Sequence, residues 1–326
     1  MDDAGIDRRA SISTRFERPL SERPERQHDR SRRPGPRFSV IVPTYDRPVQ
    51  LAACVAALRA LERPGGTLEI VIVNDGGPAP ATAVVASDPC DIECEIRVIE
   101  QRNAGPASAR NRGAAEAHGE CLAFTDDDCL PDARWLTAFD EVLRATPDAL
   151  VGGRTVNAVR DSVYADASQR LADFVAAYFD GGTTGRFFTS NNISVAREAF
   201  LAVGGFDATF PFSAGEDREL CDRWSAQGRP SVTVPDAVVR HAHHLSARGF
   251  LRQHFTYGRG AFAFRRVRAQ TGRPVRVDPA FYARSVAHAL DGGGVRGLER
   301  AGLTVAAHAA YAAGLLWESR RSRPRD

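Results

Sequence analysis

Three consecutive carboxylates, Asp126, Asp127 and Asp128, follow the short apolar run Cys121-Leu122-Ala123-Phe124, with Thr125 ahead of them and Cys129 behind. Adjacent anions at the tip of a buried strand repel one another, and a cation relieves that repulsion. If the strand continues through them, Asp126 and Asp128 point to one side and Asp127 to the other, so that the alternate pair shares one hard divalent ion. Mg²⁺ or Mn²⁺ accepts one or two protein carboxylates and completes its shell with water and phosphate oxygens, which points to a diphosphate ligand. The alternative is an acidic turn ahead of a helix, since Pro131 and Asp132 follow directly.

A second acidic pair, Glu216-Asp217, follows Gly215. Two adjacent acids push one pKa upward, which suits a general base working near neutral pH; the same pair is also ordinary favourable charge in the first turn of a helix. Arg110 lies near a helix start, either within reach of a phosphate or on the surface. His241 and His243 share one side of an extended segment, with His244 next, and are either ligands or solvated.

Strands and helices must bring these groups together. Phe38-Ser39-Val40-Ile41-Val42 reads as a buried strand ended by Pro43. After the loop Thr44-Tyr45-Asp46-Arg47, Pro48 opens a helix with Leu51, Val55, Leu58 and Leu61 at helical spacing. Leu68 to Val73 is a second strand, turning sharply at Asn74-Asp75-Gly76-Gly77-Pro78. Glu95 to Ile99 is a third, followed by Asn103-Ala104-Gly105-Pro106 and a helix to about Ala117. The fourth strand runs into the aspartates. This alternation predicts a parallel sheet covered by helices, with ligands at the C-terminal tips of its strands. Beyond it come a helix from Trp135 to Ala145, an amphipathic segment from Ser162 to Tyr178, and a strand-like stretch over residues 186–195. A helix then opens at Gly215-Glu216-Asp217, and a last strand runs from Ser231 to Arg240.

The 43 basic and 41 acidic residues leave a net charge of +2, so no global field argues for nucleic acid. All the positive charge is arginine, the side chain suited to bidentate phosphate contact. Six scattered cysteines in mostly apolar surroundings fit a reduced, cytoplasmic protein, and Cys90 and Cys94 have no second ligand pair for a zinc site. No signal-peptide core stands at the N-terminus, and residues 1–36 read as a disordered tail rich in Arg, acids and Pro. Arg248 to Arg276 carries eight arginines and no acids, interleaved with aromatics, a composition for anionic lipid or for a helical face packed on the rest. Ala301 to Trp317 falls short of the ~20 residues a spanning helix needs and reads as a docked or interfacial helix.

In order along the chain, Val42-Pro43-Thr44-Tyr45-Asp46-Arg47, Val73-Asn74-Asp75-Gly76, Asn103-Ala104-Gly105 through Ala109-Arg110-Asn111, Asp126-Asp127-Asp128, Gly204-Gly205-Phe206-Asp207 and Gly215-Glu216-Asp217 resemble the motifs of the inverting family 2 glycosyltransferases. The resemblance covers roughly residues 37 to 245. It implies a GT-A fold: an α/β architecture with a mixed, mostly parallel central sheet flanked by helices, a Rossmann-like nucleotide-binding half, and a helical C-terminal extension over residues 246–326. It implies transfer of a sugar from a nucleotide-diphosphate-sugar to the hydroxyl of a glycan, lipid-linked or small-molecule acceptor, with Mn²⁺ or Mg²⁺ and with peripheral contact to the inner face of the plasma membrane as an option. In that picture Asp217, with Glu216 beside it, is the catalytic acid pair. Pro43, Thr44, Tyr45, Asp46, Arg47, Asp75, Asn103, Gly105, Arg110, Asp126, Asp127 and Asn192 form the nucleotide-sugar site, Tyr45 stacking on the base. Asp128, Asp126 and His241 are the metal candidates. Cys129 and Asn74 depart from the pattern, each standing where an acid is frequent. A sugar nucleotidyltransferase or a dinucleotide oxidoreductase would carry a glycine-rich loop after the first strand, where this chain has Pro43-Thr44-Tyr45-Asp46. A degenerate sugar-binding protein would be expected to lose the carboxylates first.

Overall fold

A computed structural model of the chain describes residues 35–78, 80–86, 94–180, 186–210, 214–275 and 278–322. The expected N-terminal tail, apart from its last two residues, and Cys90 lie outside them. Residues Gly35–Asp326 form one compact unit.

The chain runs β1 (Phe38–Thr44), α1 (Pro48–Arg59), β2 (Leu68–Asn74), α2 (Ala81–Ala86), β3 (Cys94–Glu100), α3 (Pro106–Glu116), β4 (Cys121–Phe124), β5 (Cys129–Pro131) and α4 (Trp135–Ala145). It continues with β6 (Leu150–Asn157), α5 (Val163–Asp180), β7 (Ile193–Ala196), α6 (Arg197–Ala202), α7 (Glu216–Ala226), β8 (Ser231–His241), α8 (Ala247–Gln270), α9 (Pro279–Leu290) and α10 (Gly294–Arg321). One eight-stranded sheet has the order β3-β2-β1-β4-β7-β6-β8-β5. Strands β1 to β4 are mutually parallel, as the alternation of strands and helices predicts. From β4 outward the sheet is mixed: β7 is antiparallel to β4 and β6, β8 is parallel to β6, and β5 is antiparallel to β8.

Both faces are covered at β1, β2 and β4, which is why these strands are nearly all apolar, whereas the edge strand β3 carries Glu95 and Arg97 among its apolar residues. Phe38, Val40, Val42, Ile70 and Ile72 pack on one side with Leu51, Leu58, Trp135 and Phe139 of α1 and α4. Ile41, Val71, Val73, Leu122 and Phe124 pack on the other with Ala109, Phe200, Leu220 and Trp224. The stretch expected as a strand over residues 186–195 pairs only at its end, from Ile193. Its Asn residues bond locally instead: Asn192 N–H donates to Thr189 O at 3.1 Å and Thr189 Oγ1 donates to Asn191 Oδ1 at 2.7 Å, turn chemistry that competes with the ladder.

At the C-terminal end α8 crosses α10 at glycines. A β-carbon on Gly258 would lie 1.9 Å from Tyr311 O, and one on Gly314 1.9 Å from Phe255 O, so the two backbones meet where no side chain fits. Among the described residues no helix is long and apolar enough to cross a membrane.

Candidate active site

The tips of β1, β2 and β4, the loop before α3, the first turn of α7 and the end of β8 converge at one edge of the sheet. Register explains the first contact. Ile41 of β1 pairs with Phe124 of β4, so Thr44 lies level with Asp127, and Thr44 Oγ1 donates to Asp127 Oδ2 at 2.8 Å. The expected extended continuation through the aspartates is instead a turn, closed by Cys129 N–H on Asp126 O at 3.1 Å. Asp126 and Asp128 therefore do not share a side. Asp126 meets Arg110 Nη2 at 2.6 Å; Asp127 meets Arg47 Nη1 at 3.0 Å; Asp128 meets Arg47 Nη1 at 2.9 Å and His241 Nε2 at 3.2 Å. The chain's own cations thus hold all three anions.

These contacts set the titration of the group. Burial pushes the Asp127 carboxyl up to about 6 against the opposing charge of Arg47. Burial also opposes ionisation of Asp128, but the hydrogen bond and charge of His241, with Arg47 behind them, outweigh it and hold that carboxyl well below its usual range. His241 is raised in turn, because Asp128 outweighs the burial that disfavours an imidazolium. Asp128, Cys129 and His241 offer ligand atoms within 4.8 Å of one another. The pairing of β5 with β8 sets Cys129 directly opposite His241, a relation invisible until that pairing is known.

Arg110 is neither exposed nor at a helix tip. It is 3% exposed and bridges two elements, donating to Asp126 and, at 3.2 Å, to Glu216 Oε1, with the Phe206 ring centroid 5.6 Å from its guanidinium carbon. Among the described residues Arg110 Nε, Glu216 Oε2 and Thr125 Oγ1 are buried without a hydrogen-bond partner. Gly215, at φ +95°, turns the chain into α7 and sets Glu216 and Asp217 on its first turn. Burial pushes Glu216 up to about 7, the Asp217 charge adds to this and Arg110 opposes it. Burial also raises Asp217, against backbone hydrogen bonds from Arg218 and Ser190.

The remaining candidates divide. Tyr45 is half exposed beside the cleft, and Asp46 holds φ +52°, left-handed backbone that costs a non-glycine residue about 1 kcal/mol or more. Asp75 stands at the β2 tip, where its carboxylate accepts from Gln101 Nε2 at 2.6 Å, Ala104 N at 2.8 Å and Gly105 N at 2.9 Å, and so shapes the Asn103–Gly105 loop. Asn103 is exposed on that loop, and Pro43 is buried within β1. Asn192 is not brought to the cleft. It is 1% exposed, its amide accepting from Trp135 Nε1 at 2.8 Å and donating to Ala237 O at 3.1 Å, which ties β7 to α4 and β8. The Arg110–Glu216 and Arg47–Asp128 pairs went unread in the sequence, because separations of 106 and 81 residues carry no local signal.

Glu216 makes stability depend on pH. Its folded pKa of about 7 stands above its ordinary 4.5, so its contribution is full below about 4.5 and is lost as pH rises through 7. Unfolding free energy is therefore expected to fall between pH 4.5 and pH 8 through Glu216 and its neighbour Asp217, which burial raises in the same direction. Glu216→Gln should flatten that part of the urea-unfolding profile; an unchanged slope would take the raised pKa away from Glu216.

A mixed sheet with a parallel half whose tips carry a carboxylate cluster, faced by an acidic helix start, defines the GT-A class. The chain belongs to glycosyl transferase family 2, whose family model matches residues 39–204. Similar curated proteins include the pre-mycofactocin glycosyltransferase of Mycobacterium tuberculosis, 29% identical over 68% of this chain and 46% of that protein. The validoxylamine A glucosyltransferase of Streptomyces hygroscopicus subsp. limoneus is 29% identical over 64% and 52%. The chain thus spans about half the length of these relatives. Among solved structures, a mannosyltransferase from Pyrobaculum calidifontis in complex with GDP-Man and Mn²⁺ superposes with a TM-score of 0.60 at 20% identity, covering 88% of each chain, and the fold is shared.

Proposed function

We propose that this chain is an inverting, metal-assisted glycosyltransferase that moves a sugar from a nucleoside diphosphate to an acceptor hydroxyl, with Asp217 as general base. The observation that carries the reading is the pair Glu216-Asp217, both carboxyls raised by burial, set by Arg110 against Asp126 at the sheet edge. A carboxylate of raised pKa is a better proton acceptor near neutrality, and an inverting displacement needs one such base on the acceptor side. Asp217 takes the hydroxyl proton, while Arg110 holds Glu216 and Asp126 in place. Tyr45 offers its half-exposed ring to the base of the nucleotide, and Asp75 fixes the loop beside it.

The residues fit a divalent ion at Asp128 and His241. Asp128 Oδ1 and His241 Nε2, 3.2 Å apart, would both turn to the ion, which would take the place of the imidazole proton that Asp128 holds there. An imidazole nitrogen in the set favours Mn²⁺ over Mg²⁺. Cys129 Sγ is buried and its thiol is pushed well above its ordinary pKa, so it stays protonated and is a poor partner for a hard ion. When bound, the ion neutralises the diphosphate leaving group. The acceptor is read as a glycan or a lipid-linked sugar. Val295, Leu298, Val305, Leu316 and Trp317, exposed on α10, support peripheral contact with the cytoplasmic face of a membrane.

A thermal-shift panel of UDP, GDP, dTDP and CDP, each with and without Mn²⁺, tests the reading. One nucleotide is expected to raise Tm only with the ion, since a ligand at about 100 times its Kd stabilises by ~2.7 kcal/mol. Asp128→Ala should remove the Mn²⁺-dependent part of that shift. No shift with any nucleotide would turn the reading toward a degenerate binding protein.

A further inference from the structure

The residue after the proposed base carries a charge that the transfer chemistry leaves unused. Arg218 lies on the first turn of α7, and among the described residues its guanidinium makes no hydrogen bond or ion pair. It is held instead between two rings, its carbon 4.3 Å from the Phe179 centroid at the end of α5 and 5.0 Å from the Phe264 centroid on α8. These residues line a shallow pocket of about 20 Å³, room for a water-sized group, together with Arg186, Asp222 and Arg268. The pocket is braced from below, because α8 backs onto the chain just ahead of α7: a β-carbon on Gly260 would lie 2.1 Å from Ala214 O.

The charges in the pocket do not balance. Among the described residues Asp222 is shared by Arg268 at 3.4 Å and Arg273 at 3.0 Å. Arg186 is taken by Asp180 and by Ser231 O. Among the described residues Arg268 Nε is buried without a hydrogen-bond partner, and the Arg218 guanidinium has none either. A partly buried cation without a counter-charge is costly, and the loss of water around it shows in a pKa depressed by burial, with Arg268 and Arg265 adding to the effect against Tyr311 and Asp217. An entering oxyanion would supply the missing acceptors, and guanidinium is the cation whose planar fork matches phosphate and carboxylate.

We infer that this pocket binds an oxyanion, phosphate or carboxylate, carried by the acceptor close to the hydroxyl that receives the sugar, so that the enzyme selects anionic acceptors. The inference rests on the transferase reading for its acceptor side and on the pocket alone for its chemistry. Arg218 is a specificity residue in this scheme. It grips the acceptor's anionic group while Asp217, one position earlier on the same turn, faces the hydroxyl.

The test is isothermal titration of the full chain with phenyl phosphate, farnesyl phosphate, phenyl β-glucuronide and the neutral phenyl β-glucoside. At least one anionic probe should bind about tenfold or more tightly than the neutral one, the worth of a charge-assisted hydrogen bond. Phenyl phosphate against farnesyl phosphate separates a soluble from a lipid-carried phosphate, and the glucuronide arm reads carboxylate. Arg218→Gln should abolish the preference, Arg218→Lys should keep part of it, and Arg268→Gln should weaken it, each with Tm close to that of the parent. Equal binding of the neutral and anionic probes, or an anion preference untouched in Arg218→Gln, overturns the proposal. The Mn²⁺ nucleotide panel on the same samples separates the two readings. Nucleotide binding without oxyanion preference overturns the pocket alone, whereas oxyanion binding without any nucleotide binding overturns its acceptor role through failure of the transferase reading.

Discussion

Asp217→Asn is expected to lower kcat for sugar transfer by about a thousandfold, the middle of the range for loss of a general base, while nucleotide affinity stays within a factor of two or so. The substitution keeps the shape of the side chain and an oxygen that still accepts from Arg218 N–H, now 2.7 Å from Asp217 Oδ1, so the first turn of α7 survives. What it removes is the basic carboxylate whose pKa burial has raised. Steady-state kinetics with saturating donor, beside a nucleotide titration, separates the two effects. Retained turnover would strip Asp217 of the role, and lost nucleotide affinity would move it to the donor side.

Arg110→Met should be the most damaging substitution for stability at the site, at about 3 kcal/mol or more in urea unfolding at pH 8, because breaking a buried pair from one side leaves uncompensated charge. Its guanidinium is buried and is the common partner of Asp126 and Glu216. The cost should shrink near pH 5. Without Arg110 the pKa of Glu216, already about 7, moves higher still, so at pH 5 that carboxyl is neutral in the fold and has little charge to lose. An equal loss at pH 5 and pH 8 would separate Glu216 from Arg110 energetically.

Both predictions turn on contacts of different visibility in the sequence. The parallel half was legible because its strands are short apolar runs, β-branched in β1 and β2, that end in polar turns and alternate with helices. Trp135–Ala145 reads as a helix from the same kind of local repeat, and the structure has it there. The mixed half was not legible. β5 is three residues long and β7 four, too short for any periodicity, and Asn191 and Asn192 carry strand-adjacent positions with turn chemistry. The aspartate triplet shows the same limit in the site. Extended geometry would have paired Asp126 with Asp128, but a backbone hydrogen bond from Cys129 to Asp126 turns the chain, so that Arg110 takes Asp126 while Arg47 takes Asp127 and, with His241, Asp128.

By itself, then, the sequence determined the class of fold and which residue types gather at the tips of its strands, since local hydrophobic period and turn residues act over a few positions. Tertiary structure alone decided who neutralises whom: Arg110 on Asp126 and Glu216, Arg47 on Asp127 and Asp128, His241 on Asp128, and Arg218 on two rings. The physical reason is that charge pairing depends on distance and burial in space, and both are set by how the strands order in the sheet and where the helices pack across it.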